Sequence, residues 1–204
     1  SLTSIEIPNS VTSIEIEAFS YCTSLTNVVI GRNVQIIENS AFGACYSLET
    51  VEIPDSIAII EYDAFYECTS LKYNEYDNAY YLGNSNNPYL VLVKAVDESI
   101  TSCKVNENTK VIADNAFFSC TSLTSIEIPN SVESIGIVAF RGCDSLTSVV
   151  IPDSVTSIRA DAFAYCDSLT IYCEVESQPR GWHSHWNWPD IPVVWGYLNN
   201  KKES

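Results

Sequence analysis

The sequence predicts an α/β repeat solenoid, a right-handed coil of short parallel strands and short helical turns stacked at a 23-residue period. Three observations carry that prediction. Leu2, Leu25 and Leu48 stand 23 residues apart, as do Leu123, Leu146 and Leu169. Cys22, Cys45 and Cys68 keep the same step, and so do Cys120, Cys143 and Cys166. Six of the seven phenylalanines (Phe19, Phe42, Phe65, Phe117, Phe140 and Phe163) each follow an alanine at one place in the period. Self-similarity at a period of about 20–50 residues is the signature of stacked units that cannot bury their apolar faces alone.

Each part of the unit has its own reason. In the first, Leu2, Ile5 and Ile7 give an L-x-x-L-x-L strand with Ser4 and Glu6 pointing outward. Pro8 ends the strand, because proline donates no ladder hydrogen bond, and Pro-Asn-Ser or Pro-Asp-Ser at Pro8, Pro54, Pro129 and Pro152 presets a turn. Val11 and Ile14 supply a second short apolar pair, which predicts a second brief strand. Before each Ala-Phe stands a residue such as Ser40, Asp63, Asn115 or Asp161, read here as the N-cap of a short helical turn. That turn carries Phe and Cys inward, and the phenylalanines are expected to form one continuous internal spine.

Complete units run 2–24, 25–47, 48–70, 100–122, 123–145 and 146–168, all within a single domain spanning 1–204. Residues 71–99 break the pattern with five of the twelve tyrosines: Tyr73, Tyr76, Tyr80, Tyr81 and Tyr89. Within them, Ala79–Leu82 and Tyr89–Ala95 flank the turn-rich run GNSNNP, which predicts a hairpin added to the solenoid. Residues 169–204 hold all four tryptophans and both histidines and are expected to cap the last unit.

Composition excludes several functions. The chain carries 10 Lys+Arg against 26 Asp+Glu, a formal charge of −16, which disfavours nucleic acid and anionic membrane surfaces. No stretch approaches the roughly 18–20 apolar residues of a membrane span, so no direct membrane insertion is expected. Ser1 lies one residue ahead of a unit already in progress, which predicts a piece of a longer chain. Six of the eight cysteines stack in register, about 4.7–4.9 Å apart along the coil, whereas a disulfide wants its Cβ atoms nearer 3.8 Å; a column of buried thiols follows. Cys103 and Cys173 lie off it, separated by whole repeats.

These residues resemble a known family. The pattern L-x-x-I-x-I-P-x-S-V-x-x-I-x-x-x-A-F-x-x-C-x-S looks like the BspA-type leucine-rich repeat, with Gly31 and Asn106 in place of the proline. The family's frequent glycine after the second isoleucine occurs only as Gly136; Glu15, Glu38, Glu61, Ala113 and Arg159 fill the equivalent place. The tyrosine-rich insertion and the Gly181-Trp182-x-Ser184-x-Trp186 tail are similar to segments of gut-bacterial members. The resemblance implies a secreted or surface-attached bacterial protein with a role in adhesion to host or other cells, and no shared catalytic residues.

Candidate sites are few. The outward strand column Glu6, Val29, Glu52, Lys104, Glu127 and Val150 offers a shallow protein-binding face, with Glu6, Glu52 and Glu127 as contacts. The insertion tyrosines Tyr76, Tyr80, Tyr81 and Tyr89 are the first choice, since tyrosine gives large contact area at low entropic cost. A different class is a glycan platform on Trp182, Trp186 and Trp188; a third is a passive spacer. His183 and His185, with Asp190 or Cys173, make an incomplete metal set. There is no nucleophile elbow, glycine-rich phosphate loop or sheltered carboxylate pair, so the expectation is a non-enzymatic, cofactor-free, monomeric module that binds a protein partner, such as a host surface or matrix protein.

Overall fold

A computed structural model describes residues 2–197; Ser1 and the last part of the expected cap, 198–204, lie outside the described residues. The first three coils contribute β1 (Ser4–Glu6), β2 (Ser13–Ile14), β3 (Asn27–Val29), β4 (Ile36–Ile37), β5 (Thr50–Glu52) and β6 (Ile59–Ile60). The tyrosine-rich segment forms β7 (Asn74–Tyr76), β8 (Ala79–Leu82) and β9 (Val91–Ala95). Then come β10 (Ser102–Lys104), β11 (Val111–Ile112), β12 (Ser125–Glu127), β13 (Ser134–Ile135), β14 (Ser148–Ile151) and β15 (Ser157–Ile158). The tail adds β16 (Thr170–Cys173) and β17 (Val193–Val194).

The period becomes the register. Ser4 pairs with Asn27 and Asn27 with Thr50 along the parallel sheet β1-β3-β5, while Ile14, Ile37 and Ile60 pair along β2-β4-β6. Leu25, Val28, Leu48, Ile53, Leu123, Val149 and Ile151 point into the coil and are buried, so the strand alternation read from the sequence is the burial pattern.

The expected helical turns are absent: no helix occurs among the described residues. The Ala-Phe segment instead runs along the stack, with Phe19 N–H on Ala41 O (2.7 Å), Phe42 on Ala64 (2.9 Å), Phe117 on Ala139 (2.7 Å) and Phe140 on Ala162 (2.7 Å). An N–H committed to the neighbouring coil cannot also close an i→i−4 bond. Ser40, Asp63, Asn115 and Asp161, read as helix caps, adopt left-handed backbone with φ of 53°, 58°, 60° and 56° and turn the chain between β-turns. Asn and Asp favour both roles and Ser the cap, and the next coil's carbonyls decide between them.

The rings stack nearly parallel: Phe19 on Phe42 at 5.3 Å, Phe42 on Phe65 at 5.4 Å, Phe117 on Phe140 at 5.1 Å and Phe140 on Phe163 at 5.0 Å. The spine is not continuous, however. Among the described residues no ring bridges Phe65 and Phe117, and the apolar interior divides there into two clusters. The reason is the insertion. Asp77 and Asn78, both at positive φ, close a tight hairpin between β7 and β8, and β8 returns antiparallel to β9. β9 then joins β11 in parallel, Val91 to Val111 and Leu92 to Ile112. The segment therefore occupies a coil's place in the stack, supplying a strand but no phenylalanine.

The cysteines are free. Their thiols reach back one coil, Sγ of Cys45, Cys68, Cys143 and Cys166 lying 3.1, 3.1, 3.3 and 3.0 Å from the carbonyls of Phe19, Phe42, Phe117 and Phe140. Burial pushes Cys68 and Cys103 up to about 12 and Cys120 up to about 11.

Candidate functional site

The strand face does not form one uninterrupted column. Glu6, Val29 and Glu52 are neighbours across β1-β3-β5, all exposed. Beside β5 the hairpin loop intervenes: Ile53 N–H donates to Gly83 O (2.9 Å), and the Glu52 carboxylate accepts Ser85 N–H (3.2 Å). The column resumes with Lys104 paired to Glu127, then with Val150 paired to Tyr172 and Tyr172 to Val194. Sequence reasoning missed Tyr172 and Val194. Thr170-Ile171-Tyr172-Cys173 pairs with Ser148–Ile151 at a step of 22, so a strict count of 23 passes them by. A shallow groove of about 500 Å³ lies on this face, lined by Lys104, Ser125, Glu127, Ser148, Val150 and Glu174 among others.

The insertion tyrosines are mostly drawn inward. Tyr81 is fully buried, and its hydroxyl accepts Asn106 N–H at 3.4 Å. Burial, the largest cause, pushes its phenol well above the usual range. Tyr81 is thus a core residue and not a contact: a fully buried ring has no face left for a partner. Tyr89 meets Tyr76 and Tyr81 edge-on at 5.9 and 5.5 Å, and Tyr80 tilts against Tyr73 at 5.5 Å under the Lys94 ammonium. Tyr76, Tyr80 and Tyr89 are each half-buried.

The tryptophans divide in the same way. Trp182 and Trp186 are 4% and 1% exposed, which removes both from a sugar platform. The Trp182 indole donates to Val155 O (3.0 Å), its backbone bridges Ile158, and Trp186 sits edge-on against Phe163 at 6.0 Å. The tail completes one more coil, with Trp186 at the phenylalanine position and β17 paired to β16. Trp188 alone is open, 49% exposed, with His185 5.9 Å from its ring. His183 and His185 are exposed and 5.6 Å apart, whereas Cys173 is buried; among the described residues no three His, Cys, Asp or Glu side chains gather as a metal set. No helix among them is long and apolar enough to cross a membrane.

Solved structures similar to the chain include a leucine-rich repeat protein from Bacteroides ovatus at 25% identity, covering 87% of this chain and 41% of that one (TM-score 0.36). Another is a T. pallidum leucine rich repeat protein at 25% identity, covering 94% and 73% (0.41). A third is a leucine rich cell surface protein from Faecalibacterium prausnitzii at 23%, covering 98% and 80% (0.46). The chain spans less than half of the Bacteroides ovatus protein. Among curated proteins none matches. The model of the BspA type leucine rich repeat region matches residues 1–86 and 96–175 in six copies. The chain therefore belongs to the BspA-type leucine-rich repeat family.

Proposed function

We propose that this chain is a non-enzymatic recognition module of a bacterial surface or secreted protein, binding a protein partner on the strand face of its C-terminal coils. The groove along β10, β12 and β14 carries the reading. It combines opposite charges at Lys104 and Glu127 with the half-exposed Val150, and a polar rim around apolar contact area is the usual make-up of a protein interface. Glu6 and Glu52 extend this face beyond the hairpin loop, and Tyr76, Tyr80 and Tyr89 stand as secondary contacts. Adhesion to a host surface or matrix protein is the role that suits such a module.

The test is a binding screen of the purified chain against extracellular-matrix proteins, epithelial surfaces and a glycan array at two salt concentrations. The proposal expects a saturable protein hit. Glycan-only binding argues against it, and silence across the screen favours a spacer.

A further inference from the structure

We propose that the break in the phenylalanine column is a second docking site, one that takes an arginine- or lysine-bearing segment of a protein partner. This site is on the turn edge and does not rest on the strand-face reading.

The gap has a clear origin. Ala95 N–H bonds Ala116 O at 2.8 Å, and the chain then crosses through residues 96–99 to Ile100, so the inserted coil has no turn of its own. A cleft of about 400 Å³ remains between the turn that carries Phe65 and the next one, lined by Glu61, Tyr62, Asp63, Tyr66, Glu67 and Lys94 among others.

Its chemistry is that of a cation receptor. Tyr62 and Tyr66 are 50% and 54% exposed, although both have the apolar area to be core residues. Tyr21, 74% exposed, continues the patch two coils away, with Gly43 and Ala44 on the coil between. Carboxylates sit among the rings: Glu67 accepts the Tyr46 hydroxyl at 3.2 Å, and the charges of Asp63 and Glu67 push the Tyr62 and Tyr66 phenols up. Glu61 is already engaged by Arg159, and Lys94, the cation in the wall, lies over Tyr73 and Tyr80 at 5.3 and 5.9 Å. Exposed Glu67 and half-buried Asp63 accept only from phenol hydroxyls here, Asp63 from Tyr62 and Glu67 from Tyr46 and Tyr66, and so keep their negative charge beside the open aromatic faces. The same edge shows what such a face holds: the Arg141 guanidinium stacks 4.8 Å from the ring of exposed Tyr165. A ring and a carboxylate together attract a guanidinium or ammonium more than either alone.

The experiment is calorimetric titration of the chain with a hexa-arginine peptide, and separately with spermine. Saturable one-site binding of the peptide is expected, at least tenfold weaker in Tyr62→Ala/Tyr66→Ala, tighter in Lys94→Ala, and unchanged in Asp167→Asn, an exposed acid elsewhere. Circular dichroism melting verifies each fold. Equal affinity in all variants means attraction to net charge alone and overturns the proposal. So do absent binding, weakening by Lys94→Ala, or a preference for spermine over the peptide. A strand-face partner lost from the earlier screen has no bearing on these outcomes.

Discussion

Arg159 reaches across an entire coil to Asp114, its Nη1 3.1 and 3.0 Å from the two carboxylate oxygens, while its Nη2 holds Glu61 at 3.0 Å. Three coils, one before the insertion and two after it, are thereby joined by one ion network. Asp114 is buried, and its carboxylate also accepts Ile137 N–H at 2.7 Å. Desolvation pushes its carboxyl up, with Arg159 opposing. Removing one member strands the others, so Asp114→Ala should cost about 3–5 kcal/mol in urea unfolding. Glu61→Gln, at a more exposed member, should cost much less.

Gly136 makes the reach possible. A Cβ there would lie 2.4 Å from Asp114 N and 2.5 Å from its Oδ1. Gly136→Ala is expected to destabilise by about 1–3 kcal/mol through forced displacement. Combined with Asp114→Ala it should cost less than the sum of the two, which a double-mutant cycle reads directly.

Position in the ring stack sets the cost of truncation. Phe140 is fully buried between Phe117 and Phe163, so Phe140→Ala should lose about 3–5 kcal/mol. Phe19 ends its stack and is half-buried, and Phe19→Ala should lose less than half of that. Equal losses in chemical denaturation would mean that the stack is not energetically local.

The thiol column gives the pH dependence. Cys68 and Cys103 are raised to about 12, chiefly by burial, so the native state keeps protons that the unfolded chain releases near the ordinary thiol value of about 8.5. Their contribution is complete below that value and is lost as pH rises from about 9 toward 12. Melting temperature should therefore fall steeply over this window, and Cys68→Ala/Cys103→Ala should flatten the fall. At pH 8 a thiol reagent should modify half-buried Cys22 first and the other seven only on unfolding.

Strands, register and the buried Leu, Phe and Cys positions were legible because each is a local pattern repeated at a fixed step. The helical turn was misread since Asp63 or Asn115 before Ala-Phe suits a cap and a left-handed turn alike, and the deciding hydrogen bonds come from the next coil. Gly136 kept the repeat's glycine and Arg159 departed from it, yet the bond from Arg159 to Asp114 crosses 45 residues and no local pattern shows it. Among candidate site residues, exposed Glu6, Glu52 and Glu127 followed from strand alternation. Tyr81, Trp182 and Trp186 did not, because an aromatic that covers a coil's open end looks in sequence like one that awaits a ligand.

The most direct test of recognition by the strand face compares wild type with Glu127→Lys/Val150→Asp in surface plasmon resonance against the protein hit of the screen. Both side chains point out of the coil, so the variant should melt like wild type. Affinity reduced at least tenfold is the predicted result; unchanged affinity in a folded variant would contradict it.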